Sequence, residues 1–213
     1  MNDSTLQSES RISDEQLACQ AQAGRSSCFA ELVGRHERRL LTFLFRRIGS
    51  LGEAEDLLQD TFVRAWRNLD QYDPRWRVTT WLYTIASRLA ASHYRKTRSR
   101  PQTEADLSSA ASTQADPSDE VAASEQRDNL WALARRVLSG EQYDVLYLRY
   151  VEDFSVAQIA DVVGKTQTHV KVLLFRGRNN LGSRLRSTGS AGSWYVPPAR
   201  PGTHLRAGAK EGA

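Results

Sequence analysis

The chain has 213 residues, 40% of them hydrophobic and 25% charged, the composition of a globular protein long enough for two small domains. Its longest apolar run, Leu40 to Phe45 with Thr42 inside it, is far shorter than the ~20 residues a membrane span needs, and the opening MNDSTLQSESR lacks the basic-then-apolar order of a secretion signal. We therefore expect a cytoplasmic protein with no membrane insertion. Only Cys19 and Cys28 are present, with no Cys/His cluster at metal spacing, so neither a disulfide framework nor a metal site is expected.

The net charge of +4 is unevenly placed. Residues 86–100 hold Arg88, Arg95, Lys96, Arg98 and Arg100 with no acid, whereas residues 101–128 hold seven acids and one Arg. From Gly164 onward there are nine Lys or Arg and one acid, Glu211. Two basic surfaces flanking an acidic connector fit an anionic polymer gripped at two places, with a tether that does not stick to it.

Taken in chain order, residues 1–12 read as a disordered start. Ser13 with Gln16 opens a helical region whose apolar positions recur at Phe29, Leu32, Val33, Leu40, Leu41 and Leu44, and Gly49 with Gly52 interrupts it. A third helix is expected over about Glu53 to Leu69, buried through Leu57, Leu58, Phe62, Ala65 and Trp66. Pro74 stops helix in the loop QYDPRWRV, and a fourth helix starts near Thr79 or Thr80 and runs to about Thr97. Residues 101–118, rich in Ser, Ala, Thr and acid, bury too little apolar surface to order and read as a flexible linker. Helices near 119–138 and 140–150 follow, then 155–178. Residues 187–213 read as a disordered tail with only Trp194 and Tyr195 as large anchors. With no alternating strand pattern, the fold class is all-α: two small helical domains, 13–100 and 119–186, joined by the linker.

Residues 155–178, SVAQIADVVGKTQTHVKVLLFRGR, have the spacing of a helix-turn-helix. Ala160 lets two helices approach, Gly164 turns the chain, and Val170 locks the second helix onto the first. Ile159, Val163, Val170, Leu173 and Leu174 would form the shared seam. Gln167, Thr168, His169, Lys171, Val172, Phe175 and Arg176 are left on or beside the outer face, the layout of a major-groove reader. An ordinary helical hairpin has no need of so basic an outer face, whereas phosphate neutralisation does.

The fourth helix and its preceding loop mix Trp76, Trp81, Tyr83 and Tyr94 with Arg75, Arg77, Arg88, Arg95 and Lys96. Cations that track phosphates beside aromatic faces that receive bases suit opened DNA. Trp81 and Tyr83 also read as core residues, a reading that for Trp81 fits equally well. In the third helix, Glu53, Glu55, Asp56 and Asp60 adjoin Phe62, Arg64 and Trp66. That face would repel DNA, and it reads either as a protein interface or as acid placed favourably near a helix start.

These residues carry a resemblance. DLLQDTFVRAWRNLDQYDPRWRVTTWLYTIASRLAASHYRK is similar to the core segment of bacterial RNA polymerase sigma factors. SGEQYDVLYLRYVEDFSVAQIADVVGKTQTHVKVLLFRGRNNL is similar to their C-terminal promoter-binding domain. The short form, two domains and a linker over about residues 13–186, resembles the extracytoplasmic-function subfamily.

The resemblance implies that Asp56, Gln59, Asp60, Phe62 and Trp66 dock on the clamp helices of the polymerase β′ subunit. It implies that Trp76, Thr79, Thr80, Trp81, Tyr83, Thr84, Arg88, Arg95 and Lys96 serve the −10 element and its unstacked non-template base. It further implies that Arg149, Thr168, His169, Lys171, Val172, Phe175 and Arg176 serve the −35 element. The implied partners are core RNA polymerase, through β′ and the β flap, promoter DNA, and an anti-sigma factor where one exists. No cofactor is implied. The chain departs from many relatives at Val78 (often Phe), Arg88 (often Asn), Thr168-His169 (often Gly-Thr) and Val172-Leu173 (often Ser-Arg), so no particular promoter sequence transfers.

The reading is a sigma factor, with a stand-alone helix-turn-helix regulator as the alternative. His36, His93, His169 and His204 are isolated, and no nucleophile-base pair or phosphate loop appears, so no enzyme is expected.

Overall fold

The computed structural model describes residues 12–98 and 119–187, and all regular structure among them is helical. Helices α1 (Asp14–Gln22), α2 (Ser26–Ile48), α3 (Leu51–Arg67), a 3-10 turn (Leu69–Gln71) and α4 (Val78–Arg98) form an N-terminal lobe. Helices α5 (Asp119–Val137), α6 (Gly140–Tyr150), α7 (Val156–Val163) and α8 (Gln167–Ser187) form a C-terminal lobe. The linker expected at 101–118 lies outside the described residues, as do 1–11 and the tail from 188 onward. Two residues assigned to disordered ends are in fact placed: the Ile12 carbonyl accepts a bond from Arg35 Nη1 at 2.8 Å, and Ser187 closes α8.

Serine starts four of these helices for one physical reason. Its side-chain oxygen satisfies a backbone N–H that the first turn leaves without a partner. Ser13 with Gln16, Ser139 with Gln142 and Ser155 with Gln158 form complete reciprocal capping boxes, and Ser50 accepts from the Glu53 N–H. Glycine ends two of them. Gly49 after α2 (φ 92°) and Gly164 after α7 (φ 64°) adopt the left-handed conformation that only glycine reaches cheaply.

Helix α3 stops at Arg67 rather than at Leu69, because Leu69 enters the 3-10 turn and is buried there. The seam of the helix-turn-helix is wider than expected. Ile159, Val170, Leu173 and Leu174 are buried as anticipated, but Val162 is fully buried while Val163 is only half-buried. The reason is that α7 is covered on two sides, by α8 and by α4 of the other lobe.

The two lobes therefore share one continuous core. Phe43 of α2 touches Tyr83 of α4 at a ring distance of 5.3 Å and Tyr147 of α6 at 5.1 Å, and Phe154 places its edge on Tyr83 at 5.4 Å.

Close approach of α6 and α8 depends on Gly177, where an added Cβ would stand 2.9 Å from Leu146 Cδ1. Gly177→Val is expected to destabilise by about 1–3 kcal/mol through overpacking, read as a lowered thermal midpoint. At Gly182 the nearest atom to an added Cβ is the flexible end of Arg186 at 3.5 Å. Gly182→Ala is thus expected to be neutral or to stabilise by up to ~1 kcal/mol.

Candidate nucleic-acid interface

Helix α8 is held at its start by Thr166, whose hydroxyl accepts from the His169 N–H at 3.2 Å. Its inner side buries Val170, Leu173, Leu174 and Gly177. Thr168, His169, Lys171, Val172, Phe175 and Arg176 are all exposed, and Phe175 at 58% is the most exposed large apolar residue described. So basic, apolar and hydroxyl groups share one solvent-facing surface, the mixture that reads base edges and thymine methyls.

Arg149 is the exception among the expected −35 residues. It is half-buried, and its Nη1 donates to the Phe154 carbonyl at 2.9 Å, bracing the α6–α7 turn. Conversely, sequence reading missed Arg178, exposed two helical turns beyond Lys171 and bonded through Nη1 to the Tyr150 hydroxyl at 3.3 Å. Its seven-residue spacing from Lys171 was the available signal.

The loop before α4 carries a pocket of about 340 Å³ lined by Asp14, Glu15, Pro74, Arg75, Trp76, Arg77 and Thr79. Trp76 is half exposed at its rim, and its carbonyl accepts from the Tyr72 hydroxyl. Arg75 Nε binds Asp73 Oδ2 at 2.8 Å, and this contact holds the Asp73 carboxyl below its ordinary range. Trp81 takes a packing role on one side, its ring 5.0 Å from Tyr72, while remaining half-buried.

Along α4 itself, Arg88, Arg95 and Lys96 are exposed, and Thr79 and Thr84 are half-buried. Thr80 and Tyr83 are not brought to this surface. They are 4% and 1% exposed and lie inside the joined core. The helical period explains it, because the turn of α4 that carries them faces α7, which no local pattern reveals.

The acidic face of α3 is separate from both. Asp56, Gln59 and Asp60 are exposed, Phe62 is half-buried, and Trp66 is 45% exposed with its ring edge-on to Phe29 at 5.0 Å. Val63, also 45% exposed, extends this apolar edge and was missed, although it sits four residues after Gln59 on the same side. Acids beside exposed aromatic and aliphatic groups have the character of a protein-binding surface.

Between the lobes lies a buried ion pair: Arg47 Nε donates to Asp144 Oδ1 at 2.9 Å, and both residues are 5% exposed. Burial pushes the Asp144 carboxyl up to about 6 although Arg47 opposes the shift. Burial likewise pushes the Tyr147 phenol up to about 12.

Among the described residues no helix is long and apolar enough to cross a membrane, and no group of three or more His, Cys, Asp or Glu could hold a metal.

Comparison with known proteins finds matches in both lobes. Residues 32–100 match the family model described as Sigma-70 region 2, and residues 136–181 match that described as Sigma-70, region 4. The chain is 32% identical over 168 residues to the ECF RNA polymerase sigma factor BldN of Streptomyces coelicolor, which covers 78% of this chain but only 63% of BldN. It is 32% identical to the RNA polymerase sigma factor CarQ of Myxococcus xanthus, covering 74% of this chain and 89% of CarQ. The solved structure of CnrH in complex with the cytosolic domain of CnrY is similar over 82% of this chain and 97% of that chain, at 26% identity and a TM-score of 0.62.

Proposed function

Because the chain belongs to the bacterial RNA polymerase sigma factors, in their extracytoplasmic-function subfamily, we propose that it binds core RNA polymerase and directs it to −35/−10 promoters. It makes and breaks no bond. In this reading residues 13–100 hold polymerase and the −10 element, 119–186 hold the −35 element, and 101–118 join them in the cytoplasm.

The observation that carries the proposal is the coexistence of two opposed surfaces on one chain. The outer face of α8 is basic with exposed Val172 and Phe175, and the face of α3 is acidic with exposed Val63 and Trp66. DNA takes the first by phosphate neutralisation and base contact, and the second would repel DNA and suits a basic protein surface. Melting follows if the pocket around Trp76 and Thr79 accepts an unstacked base, since pocket contacts then offset the few kcal/mol lost on unstacking. A stand-alone regulator leaves the α3 face without a purpose.

Permanganate footprinting separates these readings. Unpaired thymines near the −10 element should appear only when the chain and core polymerase are both present. Reactive thymines produced by the chain alone would favour the stand-alone regulator.

Within the −10 unit, Arg95 and Lys96 are assigned to phosphates on the strength of their exposure beyond Arg88 on α4. Replacing both with Ala should weaken promoter binding by the holoenzyme and make log affinity against log salt shallower by roughly 1.5–2, since two phosphate contacts are lost. An unchanged slope would remove these residues from the DNA surface.

A further inference from the structure

Helix α1 lies ahead of the segment that matches region 2, yet it holds the loop that leads into α4. Gln22 Nε2 donates to the carbonyls of Leu69 and Tyr72, each at 2.8 Å, which ties down the 3-10 turn, and the Tyr72 hydroxyl in turn donates to the Trp76 carbonyl. Glu15 Oε1 accepts from the N–H of Val78, the first residue of α4, at 3.4 Å. A carboxylate is favoured there because the first turn of a helix leaves its N–H groups without partners. Helix α1 is itself fastened to α2: Asp14 Oδ1 takes Arg35 Nη1 and Asp14 Oδ2 meets His36 Nε2, both at 2.8 Å.

Both acids of α1 line the pocket beside Trp76, but they are not equivalent. Asp14 has committed both oxygens to α2. Glu15 has committed only Oε1, and its Oε2 meets no donor among the described residues. The cations of the pocket differ in the same way. Arg75 is bound to Asp73, whereas the exposed Arg77 side chain makes no hydrogen bond or ion pair among the described residues. Thr79 adds a half-buried hydroxyl. The pocket therefore offers an indole at its rim, one charged acceptor and two donors, within a volume in the ~300–1,000 Å³ range of small-ligand sites.

We propose that Glu15 reads the unstacked base: its Oε2 accepts from the exocyclic amino group of an adenine or a cytosine held in this pocket, and it excludes thymine. The inference rests on the reading that the pocket receives an unstacked base. Out of the stack, adenine and cytosine each present an amino donor beside a ring-nitrogen acceptor. The amino group suits Glu15, and the ring nitrogen suits Arg77 or Thr79. Thymine carries a carbonyl oxygen where cytosine carries the amino group, and so sets one acceptor against another. Glu15→Gln then has a specific consequence. With the amide oxygen kept on the Val78 N–H, the amide nitrogen replaces Oε2 and turns the acceptor into a donor, which suits the thymine carbonyl.

The test uses holoenzyme formed from the full chain and core RNA polymerase. Its probe is a promoter selected with the wild-type holoenzyme, made as a fork whose non-template −10 strand is unpaired. Abasic replacement along that strand locates the captured base, as the position where loss of the base weakens binding by wild type but not by Trp76→Ala. At this position adenine, cytosine and thymine are compared with purine and pyrimidinone, which are adenine and cytosine without their amino groups.

Wild type should bind each amino-free probe about tenfold more weakly than its amino-bearing parent, as expected for one hydrogen bond to a charged acceptor, and should bind thymine no better than the amino-free probes. Glu15→Gln should lose the preference for amino groups and bind thymine at least as tightly as cytosine. Glu15→Leu should bind amino-bearing and amino-free probes alike. If Glu15 only supports the start of α4, both variants weaken all five probes by one common factor and the ratios stay as in wild type, which overturns the proposal. Equal binding of amino-bearing and amino-free probes by wild type overturns it as well. Failure of the underlying reading looks different: no position of the strand then shows a Trp76-dependent loss on abasic replacement.

Discussion

Asp56→Lys with Asp60→Lys should lower affinity for core RNA polymerase by about 10- to 100-fold, or ~1.4–2.8 kcal/mol, while leaving the fold intact. Both side chains are exposed on α3, so reversal removes no packing. Both lie beyond the first turn that begins at Leu51, so little of the favourable helix-dipole interaction is lost. A single exposed ion pair is worth less than ~1 kcal/mol. Two reversals exceed that figure because repulsion against a basic clamp is added to lost attraction. Pull-down of core polymerase at two salt concentrations measures the effect, and the deficit should shrink as salt rises. The helical circular dichroism of the variant should equal that of wild type. An undiminished pull-down would place the dock on another surface.

The second large effect is expected on α8. Arg176→Ala should weaken promoter binding by holoenzyme broadly across sequences, as loss of a phosphate contact does. Lys171→Ala should instead relax preference at one or two base pairs if the ammonium reaches a guanine edge, each pair being worth ~1–3 kcal/mol. Val172 donates no hydrogen bond, and at 40% exposure it offers its methyls to a thymine or excludes a base by shape. Val172→Ser would replace that apolar contact with a donor and change the preferred base. Selection from a randomised −35 library, run with wild type and each variant, reads these differences directly. Identical preferences in all of them would mean that α8 positions the domain without reading bases.

Much of this molecule was legible in the sequence because its signals are local. Ser13 with Gln16 fixes a helix start, Gly164 fixes the turn, and the alternation of Val170, Leu173 and Leu174 with Lys171, Val172 and Phe175 sorts α8 into inner and outer faces. The acidic face of α3 was equally plain, since Asp56, Gln59 and Asp60 recur at helical spacing and all prove exposed.

What local patterning leaves out are contacts between residues far apart in the chain. Thr80 and Tyr83 look available on α4 until α7 is laid against it, and Val162 looks peripheral until α7 is seen to be covered on two sides. Arg149, expected at the −35 element, also gives one guanidinium N–H to the Phe154 carbonyl, a backbone atom that carries no sequence signature. Pairing of Arg47 with Asp144 joins residues on opposite sides of the linker, and no periodicity connects them.

The most direct test of the central claim is multi-round transcription in vitro from a library of genomic fragments, using purified core RNA polymerase with and without this chain. The expected result is a limited set of transcripts that depend on the chain, start at a fixed distance from paired −35 and −10 elements, and are lost with Asp56→Lys/Asp60→Lys. Transcription that is the same with and without the chain, while the chain binds some fragments unaided, would contradict the assignment and leave a stand-alone DNA-binding regulator in its place.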